Sequence, residues 1–292
     1  MEKEYSKGDL HIHTKYSGIM KYMGLKFPDS VEEPRNVIKY AKKKGLSVIA
    51  VTDHNTIRGG LETQKLEREF GVEVVVGSEI MTKDGEVIGL YLNEEIPRGF
   101  SAEETIELIH EQGGLAIAPH PYSPICNALG DKIFQLDLDG VEVFNAYHRD
   151  GIINNIALEK VMKNYHRKPV AFIGSSDAHL AKMVGNGLTY FEGTSKDDLY
   201  KAIINRKTTY GGNPTPLWDI ILWSYKVVYE SEKKLIKSMF FKEELNIPFY
   251  KKILAMFSGL LYIGTPLPFI SGILGNYYLK RKAKSKLKEV YI

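Results

Sequence analysis

Apolar residues in the first two-thirds of the chain fall into short runs that alternate with amphipathic stretches. The short runs are rich in Val and Ile and are bounded by Gly, Pro or polar residues, as buried strands usually are. The predicted strands are Asp9–Ile12, Leu46–Val51, Val72–Val76, Val87–Leu92, Leu115–Ala118, Gly140–Phe144 and Ala171–Gly174. Apolar positions at helical spacing between them predict helices at Pro34–Lys44, Ala102–Gln112 and Ile152–Asn164.

The alternation of strands and helices predicts an α/β fold with a parallel sheet. Seven strands over this length favour a closed barrel, and a doubly wound open sheet is the alternative, because periodicity alone does not separate the two. The predicted barrel domain spans residues 1–212, and a C-terminal helical extension spans residues 213–292.

The extension contains a long apolar stretch. A charged amphipathic helix is predicted from Leu217 to about Glu244, and residues 253–279 then contain no charged side chain. Thr265-Pro266-Leu267-Pro268 interrupts this stretch, and each half is too short to cross a hydrocarbon core of roughly 30 Å. Basic residues on both flanks favour one side of a membrane for both ends. We therefore predict an apolar hairpin that dips into one leaflet, with a helix pair packed against the barrel or in a dimer interface as the alternative.

Charge and cysteine content limit the compartment and the partners. The formal net charge of +3 is too small to predict nucleic-acid binding over the whole surface, but basic residues cluster near the C-terminus. That cluster would strengthen attachment of residues 253–288 to an anionic membrane surface. Cys126 is the only cysteine and the N-terminus lacks the apolar core of a secretory signal. We therefore predict a cytoplasmic protein held at the cytoplasmic face of the membrane.

Side chains able to bind metal follow several predicted strands. His11 and His13 form a His-x-His pair on the first one, where alternate side chains point to the same side. Asp177 and His179 follow the last predicted strand with the same spacing. The single candidates after other strands are His54, Glu79 and His120. In a parallel barrel the strand ends converge at one rim, so these side chains are expected to meet.

Imidazole and carboxylate ligands without thiolate suit zinc, manganese or iron. Clustered ions lower the pKa of a bound water and hold the oxygens of a phosphoryl group. We therefore predict two or three divalent ions and the hydrolysis of a phosphate ester by water that they activate. Each candidate also has a structural interpretation. Asp53-His54 could cap a helix, Glu79 could end a strand in solvent, and His120, followed by Pro, could lie in a turn.

The ordered motifs His-x-His, Thr-Asp-His-Asn, Ser-Glu-Ile, Ala-Pro-His-Pro and Ser-Asp-Ala-His, over about residues 8–212, resemble the PHP (polymerase and histidinol phosphatase) family. The resemblance implies a distorted (βα)7 barrel with a trinuclear metal centre that hydrolyses phosphomonoesters or nucleotide phosphodiesters. The ligands it implies for one ion are His11, His13, Glu79 and Asp177. Glu79 would bridge to a second ion on His120, and His54 and His179 would hold a third.

Two positions depart from the family pattern. Many members have an Asp or His shortly after His-x-His, in a Ser-Asp context, whereas here Ser17 is followed by Gly18. Many also have a His at the start of the strand predicted at Val87–Leu92, whereas this chain has Glu86. Glu also ligates metals, so Glu86 is a candidate ligand. The third ion, in contrast, lacks one of its ligands. We expect two tightly held ions and a third that is weak or absent.

Three further side chains are candidates for contacting substrate. Arg58 follows the second motif, and His148 and Arg149 follow the strand predicted at Gly140–Phe144. Arginine suits phosphate oxygens, although a solvated surface charge is the common role of such residues. Cys126 has no paired base evident in the sequence and is not a predicted nucleophile.

The sequence thus predicts an enzyme that hydrolyses a small phosphomonoester or a nucleotide. A 5′–3′ exonuclease or nucleotide-bisphosphate phosphatase is the second enzymatic hypothesis, although no dedicated nucleic-acid-binding module is evident. A degenerate metal-binding scaffold anchored to the membrane is the non-enzymatic hypothesis, and it rests on the departures at Gly18 and Glu86.

Overall fold

The backbone forms a nearly closed barrel of strands surrounded by helices. This computed structural model describes residues 5–22, 25–240 and 248–291. The strands described are β1 (Tyr5–Asp9), β2 (Ile19–Tyr22), β3 (Leu25–Pro28), β4 (Val48–Val51), β5 (Glu73–Met81), β6 (Glu86–Leu90), β7 (Leu115–Ala118), β8 (Gly140–Asn145), β9 (Ala171–Ser175), β10 (Gly187–Glu192) and β11 (Thr209–Gly212). One sheet has the order β11-β10-β1-β4-β5-β6-β7-β8-β9, and β2 and β3 form a separate hairpin.

Hydrogen bonds from β9 to β10 bring the ends of the sheet together. The Thr189 hydroxyl on β10 accepts from the backbone N–H of Gly174 and donates to its carbonyl. The predicted α/β barrel with a C-terminal helical part is confirmed. The sheet is mixed, however, because β6 runs antiparallel to β5 and β7, and β10 runs antiparallel to β1 and β11. Only residues 82–85 join β5 to β6, which is too short for the crossover that a parallel pair needs.

Two strand boundaries differ from the prediction near the candidate ligands. β1 ends at Asp9, so His11 and His13 follow the strand rather than lying within it. β5 extends to Met81, so Glu79 lies inside a strand. Strand pairing therefore fixes the backbone of Glu79, whereas the His-x-His segment lies in a loop.

The described helices are α1 (Pro34–Lys43), α2 (Arg58–Gln64), α3 (Glu67–Phe70), α4 (Ala102–Glu111), α5 (Ile152–Asn164), α6 (Lys196–Ile204), α7 (Leu217–Phe240), α8 (Phe249–Gly264) and α9 (Leu267–Tyr291). The predicted helices α1, α4 and α5 are confirmed to within one residue at their ends. α4 begins with a capping box, in which Ser101 and Glu104 each accept a hydrogen bond from the other's backbone N–H.

Apolar side chains of the strands are buried on both faces, as expected for a barrel covered by helices. Val48 and Ala50 of β4 pack with the other strands and with α6, whereas Ile49 and Val51 pack with α1. Each fully buried Val or Ile contributes about 1.5–3 kcal/mol. These two apolar layers hold the strand ends that carry the candidate site.

The C-terminal helices pack on the barrel by one face. Ala283 of α9 is fully buried in the core cluster that includes the apolar side of α5. α8 packs on α7, where Gly259 lies against the Glu232 side chain. The break predicted at residues 265–268 is present, and the two helices bend by 84° there. In the part of the chain described, no single helix is long and apolar enough to cross a bilayer, although this bent pair reaches that length when combined.

Candidate metal centre

The loops that follow β1 and β9 run side by side at one end of the barrel. Ile12 and Ala178 form a parallel backbone bridge, and the backbone N–H of His13 donates to the carbonyl of Ala178. Each loop carries two candidate ligands, one on each side of the bridge residue. The structure thereby brings the first and the last motif of the sequence into contact.

His11 and His13 share a first group of ligand atoms with two carboxylates. Nε2 of His11 lies 3.0 Å from Nε2 of His13 and 3.2 Å from Oε2 of Glu79. Oδ1 of Asp177 lies 3.3 Å from Nε2 of His13 and 3.6 Å from Nε2 of His11. All of these side chains are buried. Two imidazoles and two carboxylates therefore point at one small volume.

Glu79 connects this group to a second one. Its Oε1 lies 3.0 Å from Nε2 of His120, and Oε2 of Glu86 lies 3.9 Å from the same nitrogen. The thiol of Cys126 also belongs here, because its sulfur lies within 4.8 Å of the ligand atoms of Glu86 and His120. One oxygen of Glu79 thus faces each group, as a bridging ligand would.

A third group includes a residue outside the predicted set. The ligand atoms of His13, His54 and Asp29 lie within 4.8 Å of one another. Nδ1 of His54 is 3.3 Å from Oε2 of Glu79, so this group adjoins the first. His179 belongs to none of the groups found among the described residues, but its Nε2 lies 3.2 Å from Oδ1 of Asp29.

Glu142 on β8 orients two of the candidate ligands. Its Oε1 lies 2.9 Å from Nδ1 of His11 and accepts a hydrogen bond from that nitrogen, which leaves Nε2 to face the first group. Its Oε2 accepts hydrogen bonds from the backbone N–H of His120 and from the amide of Asn145. A buried carboxylate thus supports both the first and the second group.

Burial and charge shift the pKa values of the ligand candidates. Burial alone would raise the pKa of Glu79, but His11 and His54 lower it well below its usual value. Burial would likewise raise the pKa of Asp177, but His11 lowers it well below its usual value. Burial would lower the pKa of His120, but Glu79 raises it to about 9. Glu79 and Asp177 are therefore ionised at neutral pH, as carboxylate ligands must be, whereas burial and Glu79 raise the pKa of Glu86 to about 7. A cation would compete with a proton for His120.

Two candidate ligands have strained backbones. His120 has a φ of 26° and Asp177 a φ of 52°, in the left-handed region that side chains disfavour. Such conformations cost about 1–3 kcal/mol each and persist where surrounding contacts fix them. The hydrogen bond from the backbone N–H of His120 to Glu142 is one such contact. Strain of this kind clusters at functional sites.

The donor set fits divalent cations. Nε2 of His11 and Nε2 of His13 face each other, and a proton on one nitrogen leaves the other with only an acceptor role. Within the described ranges, Nδ1 of His54 and Nδ1 of His120 are buried without a hydrogen-bond partner. Converging imidazoles and ionised carboxylates buried from water are stable when they coordinate a metal.

Two of the three structural interpretations of these residues are wrong. Asp53 does not cap α2, because its carboxylate accepts hydrogen bonds from the backbone N–H and the hydroxyl of Thr14. Glu79 is 1% exposed and does not end a strand in solvent. His120 does lie in a turn, because its carbonyl accepts a hydrogen bond from the backbone N–H of Ser123, but it is buried and its ring meets the Glu79 carboxylate.

The three candidate substrate residues have different surroundings. His148 is buried, its ring centroid is 6.0 Å from that of His120, and its Nε2 has no partner among the residues described. Arg149 donates to the carbonyl of Tyr147 and to Oδ1 of Asn276 on α9. Arg58 is exposed, and its guanidinium lies over a neighbouring tyrosine ring.

Sequence reasoning missed Asp29 and Glu142. Asp29 follows β3 in a segment without motif or periodicity, so no local signal pointed to it. Glu142 did have a signal, because it lies between Val141 and Val143 in an apolar strand buried on both faces. A lone carboxylate in such a run is rare unless it is paired, and it identifies a candidate supporting residue.

A family model and several known proteins match parts of this chain. A family model described as PHP-associated matches residues 155–208. The uncharacterized protein MJ1587 of Methanocaldococcus jannaschii is 78% identical over 162 residues, 56% of this chain and 95% of that protein. The uncharacterized protein MJ1588 of the same organism is 65% identical over 112 residues, 37% of this chain and 100% of that protein. The 5′-3′ exoribonuclease of Haemophilus influenzae is more distant, at 28% over 121 residues, 40% of this chain and 39% of that protein.

Solved structures share the fold. A candidate metal-dependent phosphoesterase of Bifidobacterium adolescentis superposes with a TM-score of 0.51 and 19% identity, over 68% of this chain and 96% of that chain. PsfC of Pseudomonas syringae PB-5123 superposes with a TM-score of 0.51 and 19% identity, over 72% of this chain and 92% of that chain. At this level of identity the likeness supports the nearly closed α/β barrel alone.

Proposed function

Because this chain belongs to the PHP family of metal-dependent phosphoesterases, we propose that it hydrolyses a small phosphomonoester or a nucleotide. The observation that carries the proposal is the set of imidazoles around one buried carboxylate. Glu79 lies 3.2 Å from His11, 3.4 Å from His13, 3.3 Å from His54 and 3.0 Å from His120. The ligands we propose for two or three ions of zinc, manganese or iron are His11, His13, His54, Glu79, Glu86, His120, Asp177 and His179.

Divalent ions bound there would activate a water molecule and neutralise charge on the phosphoryl oxygens. The protein's own side chains would hold and orient the groups. Glu142 keeps Nε2 of His11 directed into the first group. Nε2 of His148, buried beside the second group without a partner among the described residues, would donate to a phosphate oxygen. Arg149 and Arg58 would add positive charge for the same phosphate.

A screen of phosphate esters with Mn²⁺, Zn²⁺ and Fe²⁺ tests the proposal. The full chain should hydrolyse at least one small ester in a metal-dependent way, and Glu79→Gln should lose that activity. Turnover would exclude the scaffold hypothesis. Absence of turnover with every ester and metal, from protein that retains bound ions, would favour the scaffold instead.

A nuclease is the second candidate function, and the Haemophilus influenzae exoribonuclease is the observation in its favour. A 5′-labelled oligonucleotide separates the two activities. Release of the labelled 5′-terminal nucleotide, at a rate above that of phosphate release from free nucleotides, would support the nuclease. Release of inorganic phosphate alone would support the phosphatase.

We also propose that α8 and α9 attach the protein to the cytoplasmic face of a membrane. Their outer surface carries large apolar side chains that are each more than half exposed: Phe249, Tyr250, Leu254, Phe257, Leu260, Leu261, Ile273, Leu274, Tyr277 and Tyr278. Apolar patches of this extent are rare on monomeric proteins that face only water. The opposite face packs on α7 and the barrel, so the helices would lie along the surface rather than cross it.

The basic residues around this apolar face favour an anionic bilayer as its binding partner. Residues 248–288 contain no acidic side chain, and basic residues flank the uncharged stretch at residues 253–279 on both sides, including Lys251, Lys252 and Lys280–Lys282. Each basic residue near an anionic surface contributes about 1 kcal/mol. A second copy of this chain would instead bring like charges together.

Sedimentation with vesicles tests the attachment. The full chain should pellet with vesicles that contain phosphatidylserine and less with pure phosphatidylcholine. The triple variant Leu254→Ser, Phe257→Ser and Leu261→Ser should stay in the supernatant. Met162→Ser, which removes an apolar side chain 59% exposed on α5, is the matched control. A dimer that forms without lipid, with no pelleting, would assign the face to a second copy instead.

A further inference from the structure

The acidic residue that the family pattern places after His-x-His has a spatial counterpart further along the chain. Gly18 comes directly before the β2–β3 hairpin and Asp29 directly after it. Because Ile19 pairs with Pro28, the two ends of the hairpin are neighbours, and the backbone N–H of Asp29 donates to the carbonyl of Gly18 over 3.2 Å. A Cβ built on Gly18 would lie 3.9 Å from the Cβ of His54. The hairpin therefore returns the chain to the side of the site where the missing acid was expected.

The carboxylate of Asp29 is directed at candidate ligands. Its Oδ1 lies 3.2 Å from Nε2 of His179, and its Oδ2 lies 3.7 Å from Nδ1 of His13. Oδ2 also accepts a hydrogen bond of 2.7 Å from the hydroxyl of Ser17. Asp29 is 2% exposed, so its charge is satisfied by these groups rather than by solvent.

Helix α7 fixes the segment that carries Asp29. The indole N–H of Trp223 donates to the carbonyl of Asp29 over 3.0 Å, and its ring centroid lies 5.2 Å from that of His179. One turn later, Lys226 forms an ion pair with the buried Glu32. Helix α7 therefore contacts both Asp29 and His179 through Trp223.

The same helix also holds the loop after His179. Asp219 of α7 is buried and pairs with Lys182 over 2.7 Å. Together with Trp223 and Lys226, Asp219 therefore fixes α7 against the segment that carries Asp29 and against the loop that follows His179.

We propose that Asp29 and His179 bind a third divalent ion, and that α7 positions both residues through Trp223. The inference rests on the proposed function and deepens it, because it makes the helical extension part of the metal centre. Asp29 supplies the carboxylate that Gly18 lacks. With His54, which belongs to the same group as Asp29, the third ion then has three protein ligands, in contrast to the weak site expected from the sequence.

Tryptophan fluorescence tests this proposal, because Trp218 and Trp223 are the only tryptophans. In full-length Trp218→Phe, metal-free protein titrated with Mn²⁺ should bind three ions per chain, and the third should quench Trp223. Asp29→Asn in this background should bind two ions and lose that quenching. Glu33→Gln, in the same segment but exposed and paired with Lys15, is the control and should behave like its parent.

Trp223→Phe provides a second measurement that does not depend on the stability of the Asp29 variant. Loss of the indole donor should weaken binding of the third Mn²⁺ ion by about tenfold, as for other groups that orient a ligand. The affinities for the first two ions should stay unchanged. Three ions retained by Asp29→Asn, or an unchanged third affinity in Trp223→Phe, would overturn the inference. Two ions with full turnover in every variant would overturn it and leave the proposed function standing. A chain that binds no Mn²⁺ and has no turnover would overturn both.

Discussion

Nδ1 of His11 lies 2.9 Å from Oε1 of Glu142, and both side chains are almost completely excluded from solvent. The carboxylate holds the proton on Nδ1 and raises the basicity of Nε2, the nitrogen that faces Glu79. Glu142→Gln keeps the size of the side chain but loses its charge. We expect Mn²⁺ affinity to fall by about 10–100-fold, with lower turnover, when both are measured by equilibrium dialysis and by assay.

Asp139→Asn is the matched control for that prediction. Oδ2 of Asp139 lies 2.9 Å from Nε2 of His110, in a partly exposed pair outside the ligand groups. This variant should keep the metal affinity of the parent. Equal affinities in Glu142→Gln and Asp139→Asn would contradict a supporting role for Glu142.

The ligands of the first group should act as one unit. His11→Ala, Glu79→Ala and Asp177→Ala should each abolish hydrolysis and reduce bound metal, and a double variant should be no worse than either single one. Metal content and turnover of purified variants measure this. His110→Ala is the control, and wild-type metal content and rate in any two of the three ligand variants would refute the assignment.

Metal removal should destabilise the fold. Ions that bind only the folded chain stabilise it by about 2.7 kcal/mol at a concentration one hundred times their Kd. For a chain of this size that corresponds to a melting temperature roughly 4–5 °C lower after chelation, restored by added Mn²⁺. Calorimetry with and without chelator is the measurement. An unchanged melting temperature in protein shown to lose its ions would argue that the groups do not bind them in the folded state.

His148 should contribute to substrate binding rather than to metal binding. A hydrogen bond to a charged phosphate is worth about 1.5–3 kcal/mol, so His148→Ala should raise KM about tenfold to a hundredfold at unchanged metal content. His166→Ala, on an exposed position after α5, is the control. A loss of bound metal in His148→Ala would show that this imidazole is a ligand instead.

Docking of α9 on the barrel should contribute to stability. Ala283→Asp would place an unpaired charge at a fully buried position and should lower the free energy of unfolding by about 3 kcal/mol. Ser285→Asp, on an exposed position of the same helix, should change it by less than about 0.5 kcal/mol. Urea denaturation distinguishes the two, and equal midpoints would show that α9 is not docked in solution.

The amino-acid sequence determined the barrel and most of the candidate ligands. Short Val- and Ile-rich runs alternate with amphipathic stretches, and that pattern encodes strands and helices locally. His11, Glu79, His120 and Asp177 were identified because each lies at or just beyond the end of an apolar run, and strand ends in a barrel converge at one rim. The break near Pro266 likewise predicted two helices instead of one, because proline cannot continue a helix.

Only the tertiary structure decided the antiparallel position of β6, the support of His11 by Glu142, and the place of Asp29. The support of His11 and the place of Asp29 depend on contacts between segments far apart in the chain. The turn at residues 82–85 sets the direction of β6. The β2–β3 hairpin carries Asp29 back beside Gly18, and Trp223 reaches it from α7. Local patterns record which residues are apolar, but hydrogen bonds and charges are satisfied in three dimensions, so a ligand delivered by a hairpin leaves no periodic trace in the sequence.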